Sequence, residues 1–153
     1  MTIDIRPGGL DTESVQALVT AHRTHSLAHS PPESVHSLGA GGLASATAFW
    51  AAWDGPTAVG MIALNELGGR AGEIKSMHVL PGHRGSGLAT RLVALVCADA
   101  AARGLTRLLL ETGSSEAYAP ARALYARHGF VERGPFPPYG EDPWSVFMER
   151  ALS

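Results

Sequence analysis

The sequence of 153 residues is poor in cysteine and in net charge, and each shortage excludes a class of protein. Its one cysteine, Cys97, cannot form an intramolecular disulfide. Because no charged residue flanks it within an apolar stretch, we expect a buried, unreactive thiol. A formal net charge of −2 provides no positive field that would attract nucleic acid or an anionic membrane. A site for an anion must therefore be local.

Long hydrophobic runs are missing as well. No apolar stretch approaches the ~20 residues that a membrane-spanning helix needs, and the opening residues MTIDIRPGG lack the apolar core of a signal peptide. We therefore expect a cytoplasmic protein without a membrane partner. Hydrophobic residues make up 45% of the chain, and its length suits one compact core better than two. We expect a single domain over residues 1–153.

The first part of the chain predicts a strand and two helices. Residues 2–6 alternate apolar and polar side chains, which is typical of a strand. Asp11 or Thr12 can cap a helix that runs to about Ser26. Pro32 can open a second, short helix, which we expect the following glycine cluster to end.

The middle of the chain predicts a meander of antiparallel strands at 47–53, 57–64 and 72–79, separated by turn sequences. Successive side chains of a strand point to opposite faces of the sheet. In the third strand we therefore expect one face to carry Glu73, Lys75, Met77 and Val79, and the other to carry Ile74, Ser76 and His78.

The last part of the chain predicts a crossover between parallel strands. A helix with apolar residues three and four positions apart begins near Leu88 and should stop at Gly104, and an apolar strand follows at 106–111. A strand, a long helix and a strand in succession normally place the two strands in parallel. A helix at 120–127 and two further strands complete a mixed α/β (α+β) pattern.

The hexapeptide RGSGLA, residues 84–89, joins the strand at 72–79 to the long helix. A glycine-rich turn at the start of a helix gathers free backbone N–H groups and the positive end of the helix dipole, where an anion can bind. The pattern lacks the Gly-Lys-Ser/Thr ending of a Walker loop and the third glycine of a dinucleotide fingerprint. An ordinary flexible turn is the alternative that two glycines leave open.

This hexapeptide matches, at every defined position, the Arg/Gln-x-x-Gly-x-Gly/Ala turn of the GNAT superfamily of acyl-CoA-dependent N-acyltransferases, which the sequence resembles. A second segment, ALYARHGF at 123–130, is similar to the LYxxxGF segment of that family. EIKSMHV, LETG, PARALY and DPWSVFM also resemble a bacterial branch labelled indole-acetate acetyltransferase-like. The resemblance implies a GNAT-like fold, in which the parallel pair of a mostly antiparallel sheet splays apart between flanking helices.

The resemblance further implies acetyl-CoA as the co-substrate and no metal. The pyrophosphate of acetyl-CoA would bind the turn formed by Arg84, Gly85, Ser86, Gly87, Leu88 and Ala89. Near the splay, the pantetheine and the thioester carbonyl would pair with backbone groups of Met77, His78 and Val79. Many members of the family carry an asparagine where this chain has Tyr118, so a cofactor contact is in question there.

Acyl transfer to an amine needs a base that deprotonates the ammonium and an acid that protonates the leaving thiolate. The resemblance gives these roles to Glu73 and Tyr125. His78 is the next candidate for the base, because a histidine side chain can titrate in the right range. Glu73 could instead form a surface ion pair with Lys75 or Arg70. Tyr125 could instead be a core tyrosine whose hydroxyl finds any partner.

Two further groups of residues invite a ligand-binding interpretation. A histidine row with helical spacing, His22, His25 and His29 with His36 nearby, has the spacing of metal ligands, but no cysteine or carboxylate completes a set. We therefore expect a solvated or substrate-facing row and no metal site. The tryptophans are expected in the core or at its rim rather than around a cation: Trp50, Trp53 and Trp144.

The sequence thus predicts an enzyme that moves an acetyl group from acetyl-CoA to the primary amine of a small molecule. Two alternatives stay open: an acceptor that is the amino terminus of a protein or peptide, and a sensor module that binds coenzyme A without turnover. We expect acceptor specificity in the first two helices and in the loop GPFPPYGEDP, residues 134–143. A homodimer is also left open.

Overall fold

A computed structural model describes residues 2–36 and 38–152 of the chain. The elements of this described part are, in chain order, β1 (Asp4–Pro7), α1 (Glu13–His29), α2 (Ala40–Ala44), β2 (Ala48–Asp54), β3 (Thr57–Gly68), β4 (Ala71–Val79), α3 (Leu88–Ala102), β5 (Arg107–Gly113), α4 (Ala119–Arg127), β6 (Val131–Arg133) and β7 (Ser145–Ala151). Short 3₁₀ turns lie at Pro32–Ser34, Pro81–His83 and Glu116–Tyr118.

The strands form one mixed sheet in the order β1-β2-β3-β4-β5-β7-β6. Strands β4 and β5 run parallel, and the other neighbouring pairs run antiparallel. Helix α3 connects β4 to β5, and a crossover of this length is what a parallel pair requires. The predicted fold, a mostly antiparallel sheet with one parallel pair and flanking helices, is confirmed.

Helices cover both faces of the sheet. On one face, α3 packs over β3 and β4 with α4 beside it, and Leu92 and Val96 are fully buried there. On the other face, α1 and α2 pack through Val15 and Leu43. Full burial of each such side chain contributes about 1.5–3 kcal/mol, so the two layers hold the sheet in place. No helix in the described residues is long and apolar enough to cross a membrane.

Strand β4 separates from β5 half-way along its length. The parallel pairing ends where Ile74 lies opposite Leu110. Just beyond, Ser76 has a φ of 56°, in the left-handed region, and the pairing of β4 with β3 shifts register. Such a β-bulge bends its strand, and the gap that follows is the splay that the family resemblance implies.

The bulge overturns one expectation about side-chain direction. We predicted Met77 and Val79 on the face of Glu73, but both pack in the core beneath α3. His78 instead points towards α1, where the centroid of its ring lies 5.0 Å from that of His22. Strict alternation holds only in an unbroken strand, and the extra residue of the bulge reverses it.

Two helix boundaries also differ from the prediction. Helix α1 continues beyond Ser26 to His29, and proline follows only at position 31. The segment that starts at Pro32 forms only one 3₁₀ turn, and Gly41 and Gly42 lie inside the separate helix α2 instead of ending a helix. The other predicted strands and helices lie where their sequence patterns placed them, within a few residues.

The cysteine and the three tryptophans differ in burial. Cys97 is buried, as predicted, and burial raises the pKa of its thiol. Trp50 is buried in the core, and Trp53 lies at its edge with the Arg6 guanidinium 5.7 Å from the ring centroid. These two positions agree with the prediction, whereas Trp144 is 42% exposed and belongs to the surface.

Candidate active site

The gap between β4 and β5 opens into a cleft of about 430 Å³. Residues of α1 and α4 line the cleft, and the turn before α3 forms its end. Most of the residues predicted to bind the cofactor line it: Met77, His78, Val79, Arg84, Gly85, Gly87 and Ala89. The two others do not, because the Ser86 hydroxyl donates to the carbonyl of His83 and the Leu88 side chain is buried in the core.

The turn before α3 has the geometry of an anion site. Gly85 and Gly87 have φ values of 78° and 83°, and a β-carbon at either position would have no protein atom within 4 Å. The backbone there faces open space. In the described structure no side chain caps the start of α3, so its first N–H groups stay free beside the positive end of the dipole. Arg84 lies alongside, and its Nε donates to the carbonyl of Val79 at 3.3 Å.

A smaller cavity of about 110 Å³ adjoins the cleft between β4 and the end of β5. Four residues line both spaces, so the two are adjacent: His22, Met77, Tyr118 and Ala121. The remaining polar side chains of the cavity wall are Ser26, Ser30, Ser34, His36, Glu73, Lys75, Ser76, Glu111, Thr112 and Tyr125. This arrangement can hold a small polar molecule beside a second ligand in the cleft.

Glu73 lies in the wall of this cavity and is only 3% exposed. Tyr139 donates a hydrogen bond to Oε2 of Glu73 at 2.5 Å, and Lys75 Nζ lies 3.6 Å from the same oxygen. Lys75, the only lysine of the chain, also donates to Tyr139 Oη at 2.8 Å. The ion pair between Glu73 and Lys75, the predicted alternative, is therefore present. The prediction placed this pair on the surface, which is wrong, because the pair is buried.

Tyr125 reaches the cavity from α4. Its ring packs edge-on against Phe130 with 5.8 Å between centroids, and the residue is buried. Burial raises the pKa of its hydroxyl above the usual range, and the negative charge of Glu111 adds to the shift. The phenol therefore keeps its proton at neutral pH and is available as a donor. Tyr125 is at once a core residue and part of the cavity wall.

Glu111, at the end of β5, is a site residue that sequence reasoning missed. It lies two residues beyond Leu109, the partner of Glu73 in the parallel pairing, and it lines the same cavity. Burial raises the pKa of the Glu111 carboxyl to about 7. The signal that could have found it is a lone carboxylate that closes the apolar run TRLLLE, since ligands bind at the carboxyl ends of parallel strands.

The histidines of α1 line the cleft. The ring centroids of His22 and His25 lie 5.0 and 6.1 Å from that of His78, whereas His29 is exposed. Burial lowers the pKa of His22 to about 4 and that of His78 to about 3, and the neighbouring histidines add to both shifts. His78, predicted as the second candidate base, is therefore too weak a base for that role. Within the described residues no group of three or more His, Cys, Asp or Glu could hold a metal ion.

Tyr118, where the sequence departs from the pattern of the family, lines both the cleft and the cavity. A β-carbon at Gly113 would lie 2.1 Å from a carbon of the Tyr118 ring. Arg122 holds this corner by donating to the carbonyls of Gly113 and Ser115 at 2.7 and 3.0 Å. Glycine at position 113 therefore makes room for an aromatic ring in the wall of both spaces.

Comparison with known proteins agrees with this geometry. The sequence model of the Acetyltransferase (GNAT) family matches residues 15–130, which include the glycine-rich turn, Glu73, Glu111 and Tyr125. The chain belongs to the GNAT family. The resemblance found in the sequence is thus confirmed, and so is the prediction of an acetyltransferase enzyme.

Individual GNAT relatives support the same assignment. The uncharacterized N-acetyltransferase YsnE of Bacillus subtilis is 43% identical over 149 residues, which cover 97% of this chain and 99% of YsnE. An IAA acetyltransferase of Azospirillum brasilense is 48% identical over 93 residues, 61% of this chain and 59% of its own. A solved structure from Klebsiella pneumoniae, provisionally described as an acyl-CoA N-acyltransferase, is 32% identical with a TM-score of 0.76 and 99% coverage of both chains.

Proposed function

We propose that this protein transfers the acetyl group of acetyl-CoA to the primary amine of a small molecule. The observation that carries the proposal is that a cleft ending in free backbone N–H groups lies next to a small cavity lined by two carboxyl groups, Glu73 and Glu111. The cleft suits an elongated ligand with phosphate groups, and the cavity suits an amine. The provisional description of the Klebsiella pneumoniae protein supports an acyl-CoA donor.

In this proposal acetyl-CoA lies along the cleft. Its pyrophosphate binds the N–H groups of residues 84–89, and the Arg84 guanidinium adds a charged donor. Beyond Ile74 the edge of β4 has lost its pairing with β5, so backbone groups at 77–79 that face away from β3, apart from the Val79 carbonyl that Arg84 already contacts, can pair with the extended pantetheine. The side chains of Met77 and Val79 point into the core, which is consistent with a role of their backbone alone.

The chemistry assigns proton transfers to the cavity. The neutral amine attacks the thioester carbonyl, the carbon–nitrogen bond forms and the carbon–sulfur bond breaks. Tyr125, which burial keeps protonated, supplies a proton to the departing thiolate. Before the attack, the ammonium of the acceptor must lose a proton to a carboxylate of the cavity. The family resemblance indicates Glu73 for that step.

The size of the cavity favours a small acceptor. A space of about 110 Å³ holds few heavy atoms, so a peptide would have to leave most of its length outside. The amino terminus of a protein or peptide is therefore the second candidate for the acceptor. A cytoplasmic location and a homodimer remain predictions from the sequence.

A screen for release of free coenzyme A tests the proposal. Purified protein is incubated with acetyl-CoA and a panel of alkylamines, amino acids, amino acid amides and short peptides, and the free thiol is measured. We expect release with at least one small amine above the rate without acceptor. Tight binding of acetyl-CoA without release for any amine would favour the sensor module and contradict the proposed function.

A further inference from the structure

Two carboxyl groups, those of the buried Glu73 and the partly buried Glu111, face the acceptor cavity from neighbouring parallel strands. Glu73 lies opposite Leu109, and Glu111 follows Leu109 by two residues, so both carboxyl groups stand on the same face of the sheet. The pairing of the strands ends at Leu110, one residue before Glu111. Glu111 therefore stands at the mouth of the splay, in the wall of the cavity.

Glu73 already has its partners within the protein. Its Oε2 accepts a hydrogen bond from Tyr139, and Lys75 Nζ lies 3.6 Å away. Lys75 is itself held by Tyr139 Oη and by the carbonyl of His36, at 2.8 and 3.3 Å. A buried carboxylate with a cation and a hydrogen-bond donor against it is satisfied as it stands.

Glu111 has no such cation. Of the ion pairs between described residues, none involves Glu111, and the only lysine of the chain lies against Glu73. Two carboxyl groups thus share one positive charge inside a small buried space. The nearby Ser145 hydroxyl and the Lys75 charge lower the pKa of Glu111, but less than burial raises it. A partly buried carboxylate with no cation in contact is costly, and an ammonium group entering the cavity would supply the missing charge.

We propose that Glu111 binds the ammonium group of the acceptor and takes its proton, and that Glu73 is a positioning residue that holds Lys75 and Tyr139 in the cavity wall. The inference rests on the proposed acetyl transfer. One proton passes from the ammonium nitrogen to the Glu111 carboxylate and then to solvent. After the attack on the carbonyl, the nitrogen loses a second proton, which balances the one that Tyr125 gives to the thiolate.

The assignment also restricts the acceptor class. An α-amino acid carries a carboxylate two bonds from its amine, and that charge would stand beside both glutamates. Like charges at such distances disfavour binding. A primary amine without a neighbouring carboxylate, such as an alkylamine or an amino acid amide, has no such conflict. We therefore expect glycinamide to be a better acceptor than glycine, and alaninamide a better one than alanine.

The pH dependence follows from the surroundings of Glu111. Burial raises the pKa of its carboxyl to about 7, so the base is half protonated near neutral pH. The other titratable groups that face it come from β4, α1, α4 and the loop regions: Glu73, Lys75, His22, His36, Tyr125, Tyr139 and Asp142. Burial and the Lys75 charge lower the pKa of His36, so its titration lies on the acid side of the Glu111 titration. Burial keeps His22 neutral and both tyrosines protonated in this range, so none of these three provides the acidic limb.

The test compares Glu111→Gln and Glu73→Gln with Glu116→Gln, an exposed glutamate in the following 3₁₀ turn outside both spaces. The kcat/KM for the best amine of the screen is measured between pH 5.5 and about 9 with saturating acetyl-CoA. We expect Glu111→Gln to lower kcat/KM about 10²-fold or more and to remove an acidic limb near pH 7, which Glu73→Gln and the control retain. Calorimetry should show unchanged affinity of Glu111→Gln for acetyl-CoA.

The other possible results separate a failure of this inference from a failure of the proposed function. An intact acidic limb in Glu111→Gln, or its loss in Glu73→Gln alone, would overturn the inference and leave the proposed acetyl transfer standing. Equal use of glycine and glycinamide would contradict the restriction on the acceptor. If Glu73→Gln does not fold, the pH profile of kcat/KM for Glu111→Gln still decides whether Glu111 is the base. A wild-type protein that releases no coenzyme A with any amine would contradict the proposed function itself, and this inference with it.

Discussion

The Tyr139 hydroxyl donates a hydrogen bond to Oε2 of Glu73 at 2.5 Å, across 66 positions of sequence. The same hydroxyl accepts a hydrogen bond from Lys75 at 2.8 Å. Tyr139 lies in the proline-rich loop at residues 134–143, so this bond ties the loop to the strand that carries the site. The wall of the acceptor cavity therefore depends on a contact between distant segments.

Removal of this hydroxyl should destabilise the protein. Tyr139→Phe leaves a buried carboxylate and a buried lysine each short of one partner, and such a loss costs about 1–3 kcal/mol. Chemical denaturation measures the change in the free energy of unfolding. In a double-mutant cycle with Glu73→Gln, the two changes should not add, because they remove the same bond. Additive effects would mean that the bond contributes nothing to stability.

The glycine-rich turn gives a prediction with a matched control. Gly87 and Gly104 have nearly equal φ values, 83° and 82°, and a β-carbon at either would meet no protein atom within 4 Å. Gly87→Ala and Gly104→Ala should therefore each cost about 1–2 kcal/mol through backbone strain alone. Only Gly87→Ala should also weaken acetyl-CoA binding, about tenfold or more in calorimetry, because its methyl group faces the phosphate site. Equal affinities in the two variants would argue against the anion site.

Gly113 and Tyr118 should show strong coupling. In Gly113→Ala the new β-carbon would lie 2.1 Å from the Tyr118 ring, and because one of them must move, we expect a loss of about 1–3 kcal/mol from overpacking. The double variant Gly113→Ala, Tyr118→Ala removes the clash. Its melting temperature should equal that of Tyr118→Ala alone. A further decrease in the double variant would show that Gly113 is needed for another reason.

The sequence predicted what depends on local patterns. The sheet, the crossover helix and the turn at 84–89 follow from periodicity and glycine spacing, and Glu73 and Tyr125 follow from two family motifs. The bulge at Ser76 could not be predicted, because serine rarely has a positive φ and no glycine marked the position. The face assignment of Met77 was therefore wrong.

The missing site residues depend on tertiary contacts. Tyr139 stood in a loop that the sequence assigned to acceptor specificity without singling out a residue, and the bond that it makes with Glu73 arises from folding. Glu111 carried a local signal, a carboxylate at the end of an apolar strand. The carboxylate of Glu111 could be recognised as a site residue only from the folded structure. There the splay places Glu111 beside Glu73, and one lysine serves both glutamates.

The role of Tyr125 predicts a separation of binding from turnover. Tyr125→Phe keeps the ring packed against Phe130, so the melting temperature and the affinity for acetyl-CoA should stay close to the wild-type values. Turnover should fall by roughly 10²-fold, because the leaving thiolate loses its proton donor in the transition state. Unchanged turnover would remove Tyr125 from the mechanism. A joint loss of affinity and stability would show that its hydroxyl is structural.

The buried carboxyl of Glu111 predicts a pH-dependent stability. Its pKa rises from 4.5 in the unfolded chain to about 7 in the folded protein, so the folded state binds the proton more tightly. This group therefore lowers the free energy of unfolding as the pH rises from about 4.5 to about 7. Relative to wild type, Glu111→Gln should be more stable at pH 8 by up to about 3 kcal/mol and little changed at pH 4. Denaturation curves at both values check this, and a gain that is equal at both would contradict it.

The most direct measurement follows the acetyl group itself. Acetyl-CoA labelled with carbon-13 in the acetyl carbonyl is incubated with the protein and with the best amine from the screen, and carbon NMR identifies the labelled product. We predict that the label appears in an amide of that amine, at a rate that depends on both protein and amine. Label found only in acetate, or retained on coenzyme A, would contradict acetyl transfer to an amine.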